Sequence, residues 1–433
     1  MTNNLQLHVE HLTRVEGHGD IVLNVKNGSV EKVSWNVTEA PRFFEAFVRG
    51  KPYDQIAQIT SRICGICSIG HTLASLKATE AAMGIQISDQ SREMRKLAIH
   101  AENMQSHVLH LGYLTAPDLF GVGSVFPLVN TNLDAVKAVV SMHRVGNQFS
   151  DLICGRTTHP VNLVLGGFWR TPSARQISEM RQKLVSIEPT IKQFGELLLS
   201  KADALPRFTR ETEYIALTSD EEYALYDGDI GSTDTGTCPV EEYRKIVNEF
   251  AVPQSTAKYT RHARDSYMVG ALARFNLNGR RLCPAAIEWA KKLGLTPVCA
   301  NPFMNNVAQF VELVHSHEES VRIIDEMLSS GLKNERKPKT KPKAGEGVGS
   351  VDVPRGILFH DYTYDSNGIC TKANCVIPTN QNHNNIQKDL ESLSPTLLGK
   401  TEKEMELGLE MLVRAYDPCV SCSTHVLKVH FAP

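Results

Sequence analysis

Four of the ten cysteines in this 433-residue chain fall into two short pairs, Cys64-Gly-Ile-Cys67 and Cys419-Val-Ser-Cys422, near opposite ends of the sequence. Two intervening residues let both sulfurs of a pair converge on one ion, and two such pairs make a tetrathiolate site for a soft or borderline metal. Spacing alone leaves a closed zinc site and a redox-active metal equally open. Thioredoxin-type redox chemistry is disfavoured, because neither pair sits in a βαβ context. A closed four-cysteine knot typically holds together modules too small for a core, whereas this chain can bury a large one. Four thiolates on a divalent cation leave a centre of about −2 charge, and Arg62 beside the first pair is expected to offset it. Cys154, Cys238, Cys283, Cys299, Cys370 and Cys375 lack such pairing and are expected to be buried thiols.

The elements around the pairs follow from periodicity. Asp20–Val37 alternates apolar residues about Asn27-Gly28, which predicts an antiparallel hairpin over 20–37. After Cys67 the apolar residues recur at three- and four-residue steps, predicting one helix ending before Gly84 and a long second one through Met94, Leu97, Met104 and Leu111. Ile177–Leu205, Ala285–Leu293 and Val307–Leu328 carry the same helical spacing. Residues 333–350, rich in Lys, Pro and Gly, read as a solvated loop. A second hairpin is predicted about Asp365–Gly368, and a last helix from Thr401, with Glu404 as its capping-box partner, to about Tyr416 before Pro418.

Composition narrows the class. With 46 Lys+Arg against 48 Asp+Glu there is no global nucleic-acid signature. No apolar run is long enough to span a membrane, and the amino terminus lacks a secretory pattern, so a cytoplasmic, non-membrane-spanning protein is expected. Neither an iron–sulfur cysteine array nor a dinucleotide-binding glycine loop accompanies the two pairs.

Five motifs in order, Arg14-Val-Glu16-Gly-His18, Arg62-Ile-Cys64-Gly-Ile-Cys67 with His71, Pro354-Arg355-Gly356, Ile377-Pro378-Thr379 and Asp417-Pro-Cys419-Val-Ser-Cys422-Ser-Thr-His425, closely resemble the large, catalytic subunit of nickel–iron hydrogenases. The resemblance covers essentially the whole chain, and Pro41–Glu45 with the Ser-Cys-Ser-Thr-His ending look most like the soluble, cytoplasmic branch. It implies an α+β, predominantly helical fold in which long helices form a central bundle with peripheral antiparallel hairpins, a single catalytic domain over 1–433. The implied reaction is reversible heterolytic cleavage of dihydrogen.

Carried over, the resemblance makes Cys64 and Cys419 terminal nickel ligands, and Cys67 and Cys422 bridges to an iron bearing carbon monoxide and cyanide. Cys419 is the thiolate that can take the proton, and Glu16 looks like the relay carboxylate. Arg355 is expected over the open face of the metals, paired with Asp118 and Asp417. Thr379 resembles the hydroxyl that donates to a cyanide, and His71 the histidine that donates toward a bridging sulfur. Glu45, the carbonyl of Cys375 and His425 would hold a structural magnesium or iron. His100, His107 and His110 are read as packing or proton-path residues. Residues 426–433 match a tail removed by a maturation protease. Implied partners are an iron–sulfur small subunit and further electron-transfer subunits of flavin-diaphorase or heterodisulfide-reductase type. Two other readings stand beside this one. They are a structural zinc protein and a metal-free scaffold subunit of the respiratory complex I type, which should lack the cysteine pairs.

Overall fold

The computed structural model describes residues 4–335 and 339–424; His425 and the tail 426–433 lie outside them. The expected amino-terminal hairpin is present and gains a strand, giving an antiparallel sheet of β1 (Asn4–Val9), β2 (Gly19–Lys26) and β3 (Ser29–Val37). Asn27 and Gly28 both take positive φ, 51° and 75°, as the tight turn between twisted strands requires. Alternation buries Ile21, Leu23, Trp35 and Val37 on one face.

Helix α1 (Ser68–Met83) starts directly after Cys67, and α2 (Asp89–Leu109) runs on into a π-helical turn, His110–Thr115. Together α2, α3 (Leu133–Cys154), α4 (Ala174–Ser200) and a later long helix, Asn305–Ser330, pack against one another as the central bundle. Between them lies a four-stranded sheet of short segments that periodicity does not reveal. Its strands are β4 (Glu213–Thr218), β5 (Asp229–Ser232), β6 (Gly236–Cys238) and β7 (Tyr267–Met268), in the order β7-β4-β5-β6. Then follow α5 (Ala271–Asn278), a short helix Pro284–Lys292, and α6, the Asn305–Ser330 helix.

The stretch expected to be a loop over 333–350 ends early, because β8 (Gly345–Val353) begins within it. Glycines there read as loop punctuation, yet they serve close packing. A Cβ on Gly345, Gly347 or Gly349 would lie 2.3, 2.2 or 2.2 Å from the carbonyl oxygens of Ala82, Ala78 and Ala74 on α1. With β9 (Gly356–Tyr364) and β10 (Cys370–Val376), β8 forms a sheet buried against α1, so this second hairpin region is part of the core. Helix α7 (Pro378–Leu397) supports β3, where Trp35 Nε1 donates to His383 Nδ1 at 2.9 Å. Helix α8 (Glu402–Ala415) opens with the expected Thr401/Glu404 capping box. Among the described residues no helix is long and apolar enough to cross a membrane. Of the cysteines expected to be buried, Cys238, Cys283 and Cys299 are only partly so, because they lie in short edge or connecting segments.

Candidate metal centre

Cys64 leaves a 3-10 turn, Ser61–Ile63, in extended conformation, and Cys67 caps α1. At the other end α8 stops, Asp417 turns the chain at φ 49°, and Cys419 leads into the short turn Ser421–Ser423. The two loops meet. The sulfurs of Cys64, Cys67, Cys419 and Cys422 all lie within 4.8 Å of one another and all four residues are buried. Cys64 Sγ is 3.5 Å from Cys419 Sγ, and Cys419 and Cys422 are joined as a disulfide. Four converging soft donors in a water-excluded pocket suit a thiolate-bound metal centre.

Within the first pair, the hydrogen bond from Cys67 holds the Cys64 thiol below its ordinary range, and the same bond with burial pushes Cys67 well above it. The counter-charge is Arg355. Its Nε donates to Asp417 O at 2.7 Å and its Nη2 to Asp417 Oδ1 at 2.8 Å, with side chains 2% exposed on both. Burial opposes its charge, but Asp417 and then Cys67 and Cys64 keep it firmly protonated. Arg62, expected in this role, is exposed, because the 3-10 turn that carries it directs Ser61 and Ile63 inward instead. Asp118 does not pair with Arg355 either. Its buried carboxylate takes Arg14 Nη2 at 2.6 Å on Oδ1 and Arg414 Nε at 2.8 Å on Oδ2, so both oxygens are engaged by other arginines.

Glu16 arrives from the loop between β1 and β2. Its carbonyl accepts Val420 N–H at 2.8 Å, and Oε2 lies 3.1 Å from Cys419 Sγ and accepts Ser421 N–H at 3.1 Å. Gly17 makes that approach possible, since it has φ 85° and a Cβ there would lie 2.6 Å from Ser421 N. Glu16 is half-buried, and its other carboxylate oxygen, Oε1, accepts the Ser421 hydroxyl. Thr379 Oγ1 accepts Cys419 N–H at 3.0 Å, which leaves the hydroxyl proton to be donated elsewhere. His71 is buried with Nδ1 3.1 Å from His360 Nε2. Glu45 is buried and accepts Cys375 N–H at 2.9 Å, so two parts of the expected third-metal set adjoin; His425 lies outside the described residues. His100 and His107 on α2, and His110 in the π-helical turn that follows it, reach Ser316, Glu312 and Gln309 on α6.

Two neighbours escaped the sequence reading. Arg42 Nη2 donates to Ile63 O at 2.6 Å and also to Ser421 O, stitching the two cysteine loops together. Glu102 accepts Ile69 N–H at 2.8 Å and Gly70 N–H at 3.1 Å at the start of α1, and burial, reinforced by Cys64, pushes its carboxyl up to about 8. Its signal was the run of polar residues on a helix whose apolar spacing drew attention elsewhere; Leu97–Val108 is buried throughout.

A family model described as nickel-dependent hydrogenase matches residues 42–149 and 255–425, and one described as HoxL-like matches 6–40. The chain is 31% identical to sulfhydrogenase 1 subunit alpha of Pyrococcus furiosus, over 98% of this chain and 99% of that one. It is 28% identical to the NAD-reducing hydrogenase HoxS subunit beta of Cupriavidus necator, over 98% and 95%. Among solved structures, an NAD+-reducing [NiFe]-hydrogenase in the H2-reduced state superposes with a TM-score of 0.87 at 26% identity, covering 97% of this chain and 99% of that one.

Proposed function

This chain belongs to the nickel-dependent hydrogenase family as a catalytic large subunit, and we propose that its four clustered cysteines hold the nickel and iron. The protein is an oxidoreductase acting on dihydrogen. The observation that carries the assignment of ligands is the convergence of four buried sulfurs from opposite ends of the chain. All four would bind as thiolates, Cys419 and Cys422 once the disulfide that joins them has been reduced by two electrons. Cys64 and Cys419 would hold the nickel, and Cys67 and Cys422 would hold both the nickel and an iron that carries carbon monoxide and cyanide. When bound, the metals supply heterolytic cleavage of dihydrogen into protons and electrons.

The chain's own groups manage charge and protons. Arg355, locked by Asp417, presents a fixed cation beside the thiolates. A proton taken at Cys419 Sγ passes to Glu16 Oε2, the carboxylate oxygen 3.1 Å away, on a half-buried residue whose Oε1 meets the Ser421 hydroxyl. Thr379 and His71 would orient groups around the metals, and Glu45, the Cys375 carbonyl and His425 would hold a structural magnesium or iron.

Electrons require a partner, since the four-cysteine group is the one metal-ligand cluster among the described residues. The partner is an iron–sulfur small subunit, followed by flavin-diaphorase or heterodisulfide-reductase type subunits that reach a soluble acceptor. The subunit names of the relatives support a multi-subunit assembly. A cytoplasmic, reducing compartment suits the free thiols. A maturation protease removes residues 426–433, and an intact mass of active, nickel-loaded protein that still carries them would overturn that step. The deciding test of the whole reading is metal analysis with infrared spectroscopy on purified protein. Nickel, iron and bands from bound carbon monoxide and cyanide are expected; zinc without those bands would refute it.

A further inference from the structure

Arg274, on α5, is wholly buried, and all five of its N–H groups are used. Nε and Nη2 donate to the two oxygens of Glu312 at 2.6 and 2.7 Å. Nη1 donates to Asp352 Oδ1 and to Val353 O at 2.7 Å, and Nη2 also to Pro354 O at 3.0 Å. Val353 pairs with Gly356, so Pro354 and Arg355 form the two-residue tip of the β8–β9 hairpin. The two carbonyls that Arg274 grips are therefore those immediately before Arg355.

The grip is itself anchored. Glu312 accepts Tyr223 Oη at 2.5 Å and faces His107 Nε2 at 2.8 Å, and Asp352 Oδ2 accepts Leu217 N–H at 2.8 Å. Helices α2, α5 and α6 and strands β4 and β8 thus share one cation. An ion group meant only for stability needs no bonds to the hairpin tip, and a buried pair is by itself a weak stabiliser.

We infer that Arg274 is a positioning residue for the dihydrogen reaction, fixing the Pro354–Arg355 tip so that the Arg355 guanidinium is held beside Asp417 and the cysteine cluster. The inference rests on the reading of Arg355 given above. Lysine at position 274 would keep the charge but could not serve five acceptors in one plane, so the tip would shift while the net charge of the ion group is unchanged.

The test uses the intact hydrogenase complex and the substitutions Arg274→Lys, Arg355→Lys and both together. Arg274→Lys should keep nickel, iron and the infrared bands, while turnover per nickel falls roughly tenfold or more, as small misplacements of a catalytic group do. In the Arg355→Lys background it should add less than about twofold, because both changes act through one side chain. Turnover per nickel within about twofold of the parent, or losses that multiply, would make Arg274 merely structural. If Arg274→Lys does not fold, Glu312→Gln, which loosens the same fork, carries the same comparison with the same two outcomes. A parent complex without dihydrogen activity would instead sink the functional reading, so the two failures are distinguishable.

Discussion

The carboxylate of Glu16 lies 3.1 Å from the sulfur of Cys419, joining the first loop of the chain to its last. Glu16→Gln keeps the shape and can still accept Ser421 N–H, but it removes the exchangeable acid. Metals should be retained, while hydrogen–deuterium exchange activity falls by about 10²–10⁴. Unchanged exchange would remove Glu16 from the proton path.

Replacing Cys67 or Cys422 by Ser substitutes a hard, weakly acidic hydroxyl for a soft thiolate in the buried cluster. Neither variant should assemble the nickel–iron centre. Full nickel and iron occupancy with parental activity in either one would refute the ligand assignment.

Asp417 and Asp118 should separate cleanly. Asp417→Asn leaves the buried Arg355 charge without its carboxylate, a change that costs about 3–5 kcal/mol in typical buried pairs and should cut turnover. Asp118→Asn loosens Arg14 and Arg414 and should lower the melting temperature while turnover per nickel changes little. Equal loss of turnover in both would restore Asp118 to the active site.

Burial pushes the pKa of His100 down to about 3 and that of His315 to about 4. Both are neutral in the fold, so the unfolded chain binds the extra protons, and their contribution is complete above about 6.5 and lost as the pH falls toward 4. His100→Gln should therefore flatten the fall of melting temperature with pH across that window. An unchanged slope would mean that His100 is not buried neutral.

Gly347→Ala would place a methyl 2.2 Å from the carbonyl of Ala78. Separating β8 from α1 should cost about 1–3 kcal/mol, read as a lower denaturation midpoint. A neutral effect would show that the sheet can retreat freely from the helix.

Local chemistry made the elements near the site legible. Asn27-Gly28 set the first hairpin, Thr401 and Glu404 the last helix, and apolar spacing α1, α2 and α6. The cysteine pairs named the donors, because two-residue spacing is a local property. Which charges face them was decided only by tertiary packing. Arg62 adjoins Cys64 in sequence yet points to solvent, whereas Arg355 is brought in by a hairpin tip that Arg274 grips from another helix. Likewise Glu102 and Arg42 act on the loops through backbone groups distant in sequence, and backbone partners leave no mark in residue spacing. Gly345, Gly347 and Gly349 read as loop for the same reason. Their role is the space they leave for α1, and space between elements exists only once the chain has folded.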